Sequence, residues 1–188
     1  MQMPKARTAM ALINEITCLY PEREALVGAE QRYNWHQVNT QIRIIARGLY
    51  GAGMRSGDKV AILMGNRPEW IIADFAIMAL GGVMVAANTW ATPRELAYQL
   101  SHSESKILIM SASFKNRNFL KLYDELTKED YDLSNLEKVY CISDDILPDD
   151  ICNFRELEQL STNVSDTQIN RIFNSVKPTD IACLLYTS

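Results

Sequence analysis

Two hydroxyl side chains at the end of an apolar run are the most suggestive chemistry in the sequence. Thr187 and Ser188 follow Ile181–Tyr186, which reads Ile-Ala-Cys-Leu-Leu-Tyr. Ligands of open α/β sheets bind beyond the carboxyl ends of the strands, so a phosphate-binding loop would begin here. An ordinary turn explains the same two residues. A second candidate is Gly51-Ala-Gly53-Met-Arg-Ser-Gly57. A dinucleotide fingerprint has similar glycines, but there a strand enters the turn and the following helix points its amide end at pyrophosphate. Here a helix precedes and a strand follows, so the helix would offer its negative end; a helix C-cap with a turn is the better reading. His36 falls in the first turn of one helix and His102 near the end of another, where a cation is well placed, and surface roles are expected for both. Asn88 and Trp90 follow a strand end, where they would line a pocket or form a buried turn. Residue types assign no catalytic residue and no metal ligands. The cysteines at 18, 141, 152 and 183 include no Cys-x-x-Cys pair. The acidic stretch Asp144–Asp150 lacks the glycine and terminal glutamate of a calcium loop and reads as a solvated turn around Pro148.

The elements that would position these residues alternate. Met10–Leu19 predicts a short helix, and Ala25–Val27 with Gln31–Tyr33 predicts a hairpin about Gly28. A helix starts at Asn34 with Gln37 completing a capping box, and its apolar positions Trp35, Val38, Ile42, Ile45, Ala46 and Leu49 share one face. Further helices are predicted over Pro68–Leu80, Thr92–His102 (Thr92 as cap, Glu95 closing the box), Ser113–Thr127, Asn153–Leu160 and the segment around Ile169–Val176. Five short apolar strands are predicted at 59–64, 83–87, 106–110, 138–142 and 181–186. Such runs suit strands covered on both faces. The expected fold class is therefore α/β: a mostly parallel, doubly wound sheet with helices on both faces, plus the short N-terminal helix and hairpin. Residues 1–34 would form that helix and hairpin, and 35–188 the alternating core.

Composition narrows the function classes. The 188 residues carry a net charge of −4 with 47% hydrophobic and 22% charged residues, as in a globular domain. Residues 1–100 hold 10 basic and 8 acidic groups, and 101–188 hold 9 and 15. A nucleic-acid partner is not expected. Trp70–Ala87 has one charge in eighteen residues, but Asp74 and the Gly81-Gly82 break argue for a buried helix and strand rather than a membrane span. No basic-then-apolar leader opens the sequence, and cytoplasmic location with reduced thiols is expected.

Several segments, in order, resemble the adenylate-forming enzymes, the AMP-binding or acyl-CoA synthetase family. Lys177-Pro178-Thr-Asp180-Ile-Ala-Cys-Leu-Leu-Tyr-Thr-Ser188 is similar to the lead-in of that family's phosphate loop, Tyr-Thr-Ser-Gly-Thr-Thr-Gly-x-Pro-Lys-Gly. Tyr33–Val38 looks like its first core element, with Asn34 where Thr or Ser is usual. Gly53-Met-Arg-Ser-Gly57-Asp58-Lys-Val60-Ala61 looks like Gly-hydrophobic-x-x-Gly-Asp-x-Val-Ala. Asn66-Arg-Pro-Glu69 resembles its Asn-x-x-Glu. Ala79–Asn88 with Thr92-Pro-x-Glu95-Leu96 is similar to its second core element, with Ala86-Ala87 replacing a common Val-Pro. The resemblance spans residues 8–188.

The resemblance implies the N-terminal portion of an ATP-dependent carboxylate–CoA ligase. The full-length family forms an acyl-adenylate, releasing pyrophosphate, and most acyl-CoA members then pass the acyl group to coenzyme A. ATP, Mg²⁺, coenzyme A and a small carboxylic acid, with fatty acid metabolism as a setting, are implied for the whole protein. Of this chain's residues, only Thr187 and Ser188 match positions that contact ATP phosphates. The loop glycines and lysine, the metal-binding glutamate and the ribose-binding aspartate lie past residue 188 in the family. The 188 residues are accordingly expected to be inactive by themselves, to hold none of these ligands tightly and to self-associate. The alternative is a non-catalytic small-ligand or protein-binding module of the same family, including one that pairs with a complete ligase.

Overall fold

A computed structural model describes residues 4–29 and 31–186. In chain order the elements are α1 (Ala9–Leu19), β1 (Glu24–Val27), β2 (Arg32–Asn34), α2 (Trp35–Gly51), β3 (Lys59–Leu63), α3 (Pro68–Ala79), β4 (Val83–Ala86), α4 (Pro93–His102), β5 (Ser105–Ser111), β6 (Ser113–Phe114), β7 (Arg117–Asn118), α5 (Phe119–Lys128), β8 (Lys138–Ile142), β9 (Cys152–Asn153), α6 (Glu156–Ser161), α7 (Asp166–Ser175) and β10 (Cys183–Leu184). The described chain divides into a helical unit and a sheet unit.

The helical unit draws on residues 1–57, 67–82 and 157–182. Its hairpin pairs β1 with β2 antiparallel. The Asn34 side chain accepts from the Gln37 amide while the Gln37 side chain accepts from the Asn34 amide, each at 2.9 Å, which closes the capping box that starts α2. Val38, Ile42, Ile45, Ala46 and Leu49 are all buried on one face of this helix. Gly48 and Gly51 let α6 approach. A Cβ on Gly48 would overlap the Leu157 carbonyl, and one on Gly51 would stand 3.1 Å from the Leu160 carbonyl. Arg47 pairs with Asp166 and Arg43 with Asn170, tying α2 to α7.

The sheet unit draws on residues 58–66, 83–156 and 183–188. Its six strands run in the order β10-β4-β3-β5-β8-β9, every pair parallel. Alternating residues of β3, such as Val60 and Ala61, are both buried, so both faces of the central strand are out of solvent. One core cluster joins Ala61, Leu63, Leu108 and Met110 of the sheet to Leu96 and Leu100 of α4 and to Phe119, Leu122 and Leu126 of α5. Burying each of these larger side chains contributes on the order of 1.5–3 kcal/mol. At the amino ends of the strands Lys106 pairs with Asp58 at 3.3 Å and Glu137 at 3.5 Å, and Lys59 with Glu104 at 2.9 Å.

The α/β class and the parallel sheet are as expected, with four corrections. The sheet has six strands rather than five, because β9 adds a two-residue edge beside β8. The last strand covers Cys183–Leu184 rather than 181–186. It lies at the edge against the four-residue β4, so little ladder is available to extend it. The helix expected from Ser113 begins only at Phe119. The residues before it form the hairpin β6–β7, and the Asn118 side chain caps α5 by accepting from the Lys121 amide at 2.8 Å. The short helix expected from Asn153 likewise starts at Glu156, whose carboxylate accepts from the Asn153 amide. Trp70–Ala87 is split at Gly81, and among the described residues no helix is long and apolar enough to cross a membrane.

Candidate functional site

The sheet's strand order creates a switch point. From β3 the chain moves to β4 on one side, then returns past β3 to β5 on the other. Loops leaving the carboxyl ends of β3 and β5 therefore diverge, which opens a crevice where ligands of such sheets bind. Three segments of the sheet unit gather at these ends: Met64–Asn66 after β3, Ala87–Ala91 after β4, and the hairpin β6–β7 after β5.

The hairpin covers part of this edge. A Cβ on Gly65 would fall within the Phe114 ring, so only glycine lets that ring lie against the end of β3. Lys115, at the hairpin tip with φ of +52°, stands over the Trp90 ring at 5.7 Å and the Phe114 ring at 5.3 Å. Arg117 donates to the backbone carbonyls of Trp90 and Ala91. Trp90 is 58% exposed, not part of a buried turn, and the Asn88 side chain accepts from its amide at 2.9 Å. An exposed indole beside an ammonium group suits planar and anionic groups. Sequence reading missed Phe114, Lys115 and Arg117 because it placed them in a helix. The lysine at the turn gives no signal of the kind that Asn-Gly would.

Below this edge Thr92 starts α4 through the expected capping box. Its hydroxyl accepts from the Glu95 amide at 3.3 Å, and the Glu95 carboxylate accepts from the Thr92 amide at 2.8 Å. The bond from that amide is the main reason the Glu95 carboxyl titrates below its ordinary range. At the other end of α4, His102 is exposed and its Nδ1 lies 3.0 Å from the Tyr186 hydroxyl. Burial pushes the Tyr186 phenol up from its ordinary value. Tyr186 is the last described residue. Thr187 and Ser188, the two residues expected to meet phosphate, lie outside the described residues.

The other sequence candidates fall elsewhere. In the helical unit Gly53 has φ of +105°, its amide bonds the Tyr50 carbonyl, and the Met54 amide bonds the Leu49 carbonyl at 2.9 Å. This is a Schellman cap with Met54 and Leu49 both buried, so these glycines terminate α2. His36 lies in the first turn of α2, where its carbonyl accepts from the Thr40 hydroxyl. Cys18 and Cys183 are exposed free thiols and Cys141 is buried. Among the described residues no three His, Cys, Asp or Glu side chains stand together as a metal site, so the described part offers no set that fits Mg²⁺.

The sequence profile of the family described as AMP-binding enzyme matches residues 17–188. The chain belongs to this family. A crotonobetaine/carnitine–CoA ligase of Escherichia coli is 30% identical over 77% of this chain and 28% of its own length. The Bacillus subtilis protein YngI is 27% identical over 94% of this chain and 34% of its own. The chain thus spans about a third of the length of the curated relatives it matches. Among solved structures, a coronafacic acid ligase variant from Pectobacterium brasiliense superposes with a TM-score of 0.78 at 22% identity, over 96% of this chain and 33% of that one. An anthranilate CoA ligase in complex with anthranoyl-AMP gives 0.73 at 23% identity, over 84% and 29%. These structures share the fold described above.

Proposed function

We propose that this chain is the N-terminal portion of the AMP-binding domain of an ATP-dependent carboxylate–CoA ligase acting in the cytoplasm. The whole protein would join a small carboxylic acid to ATP as an acyl-adenylate, release pyrophosphate, and transfer the acyl group to coenzyme A. The observation that carries the reading is the family match over residues 17–188, together with relatives named as CoA ligases. Thr187 and Ser188 would supply the first hydroxyls to the ATP phosphates at the carboxyl edge of β10. The 188 residues by themselves do not adenylate a carboxylate, because a phosphate needs several donors converging from a glycine-rich loop together with a cation.

The coding sequence after the Ser188 codon tests the reading. A continuation into Gly-Thr-Thr-Gly, and acid-dependent ATP–pyrophosphate exchange by the extended polypeptide, are the expected results. A stop codon at that point favours the binding-module alternative. Robust acid-dependent exchange by the purified 188-residue chain would defeat the proposal that this portion is inactive.

A further inference from the structure

We propose that Tyr98 and His102 are positioning residues, which with the Tyr186 side chain clamp the exit of β10 to the end of α4 and so set where the phosphate-contacting segment begins. The inference rests on the reading of Thr187 and Ser188 as that segment.

Tyr98 and His102 are four residues apart on α4, so their side chains lie on one face. Their rings stack with centroids 5.1 Å apart and planes 22° from parallel. The Tyr186 ring meets both edge-on, at 6.2 Å and 78° to Tyr98 and at 5.8 Å and 75° to His102. These are the arrangements that ring quadrupoles favour. The bond between His102 Nδ1 and the Tyr186 hydroxyl closes the cluster. All three residues belong to the sheet unit.

The strand that needs this support is weak. Its ladder with β4 registers two residue pairs, Cys183 with Met84 and Leu184 with Val85. Tyr186 is two residues past that ladder and immediately ahead of Thr187. Packing of α4 does not require the clamp, because Leu96, Ala97 and Leu100 are the buried residues of that helix while Tyr98 is 58% exposed. An open cavity of about 380 Å³, lined in part by Tyr98, His102, Tyr131 and Asp132, leaves the α4 rings room to swing away. Ring contact and the hydrogen bond, rather than confinement, therefore hold them on Tyr186.

The test uses the isotope-labelled 188-residue chain without ATP. It reads amide hydrogen exchange at Cys183 and Leu184 and the amide resonances of Thr187 and Ser188. His102→Ala and Tyr186→Phe should each speed exchange by about fivefold, the scale of one lost hydrogen bond, at whichever of the adjacent Cys183 and Leu184 amides faces β4. They should also move the Thr187 and Ser188 resonances, with Val85 and Ile62 unchanged. Tyr98→Ala should act the same way, and His102→Asn, which can keep the hydrogen bond but not the ring contacts, should give a smaller change than His102→Ala. Tyr186→Phe removes a single hydroxyl and keeps the test valid if the alanine variants fold poorly. Unchanged exchange at β10 in the variants overturns the proposal, and so does faster exchange that leaves Thr187 and Ser188 unmoved. Failure of the ligase reading is seen separately, as absent pyrophosphate exchange by the extended polypeptide while the clamp signals persist.

Discussion

Asp74 lies in the middle of α3 with its Oδ1 buried and without a hydrogen-bond partner. Burial pushes its carboxyl up to about 6. The folded chain therefore holds a proton that the unfolded chain gives up near pH 4. The side chain costs nothing below that point, costs more as the pH rises to about 6, and costs a constant amount above it. Asp74→Asn is expected to add about 1–2 kcal/mol of stability at pH 7.5, after discounting for solvent at a partly exposed group, and almost none at pH 4. Urea titrations at the two pH values check both the sign and the window. Gly48 is the opposite case. An alanine there would gain helix propensity, but its Cβ would overlap the Leu157 carbonyl, so Gly48→Ala should destabilise by about 1–3 kcal/mol, read as a lowered urea midpoint. The sequence marks Gly51 and Gly53 as a helix end. It gives no hint of Gly48, whose role comes from a helix more than a hundred residues away.

At the level of elements, two helix starts are legible from local sequence alone. Asn34 with Gln37, and Thr92 with Glu95, announce their helices because capping is a bond between residues three apart. The segment 113–118 misled because Phe119, Leu122, Tyr123 and Leu126 do form one buried face, and extending it backwards costs nothing in periodicity. A two-residue strand such as β9 has too few residues to show a period at all. Glu104 is another position whose conformation the sequence conceals. It ends α4 with φ of +53°, a region that favours glycine, and its amide bonds the Ser101 carbonyl. Glu104→Gly should relieve that strain at the expense of an exposed ion pair with Lys59, for a small net gain in stability. A small rise in the thermal midpoint is the expected result.

For the whole molecule, the parallel sheet follows from the alternation of apolar strands and capped helices. The candidate site is only partly legible, since Thr187 and Ser188 can be recognised by their neighbours in sequence whereas His102 and Tyr186 meet across 84 positions. Among the described residues β10 pairs with β4 only, and Cys183 and Leu185 are exposed beside it. Purified 188-residue chain is therefore expected to self-associate, with light scattering showing a mass that rises with concentration; a constant monomer mass would count against this. The same pairing also orders events during synthesis. Ninety-seven positions separate Ala86, the end of β4, from Cys183, the start of its outer neighbour. Ribosomes add roughly 5–20 residues per second, so the outer backbone groups of β4 wait about 5–20 s for their partner. Over that interval the nascent sheet offers an open template for wrong pairing, and expression yield should depend on translation speed and on chaperones that mask a strand edge.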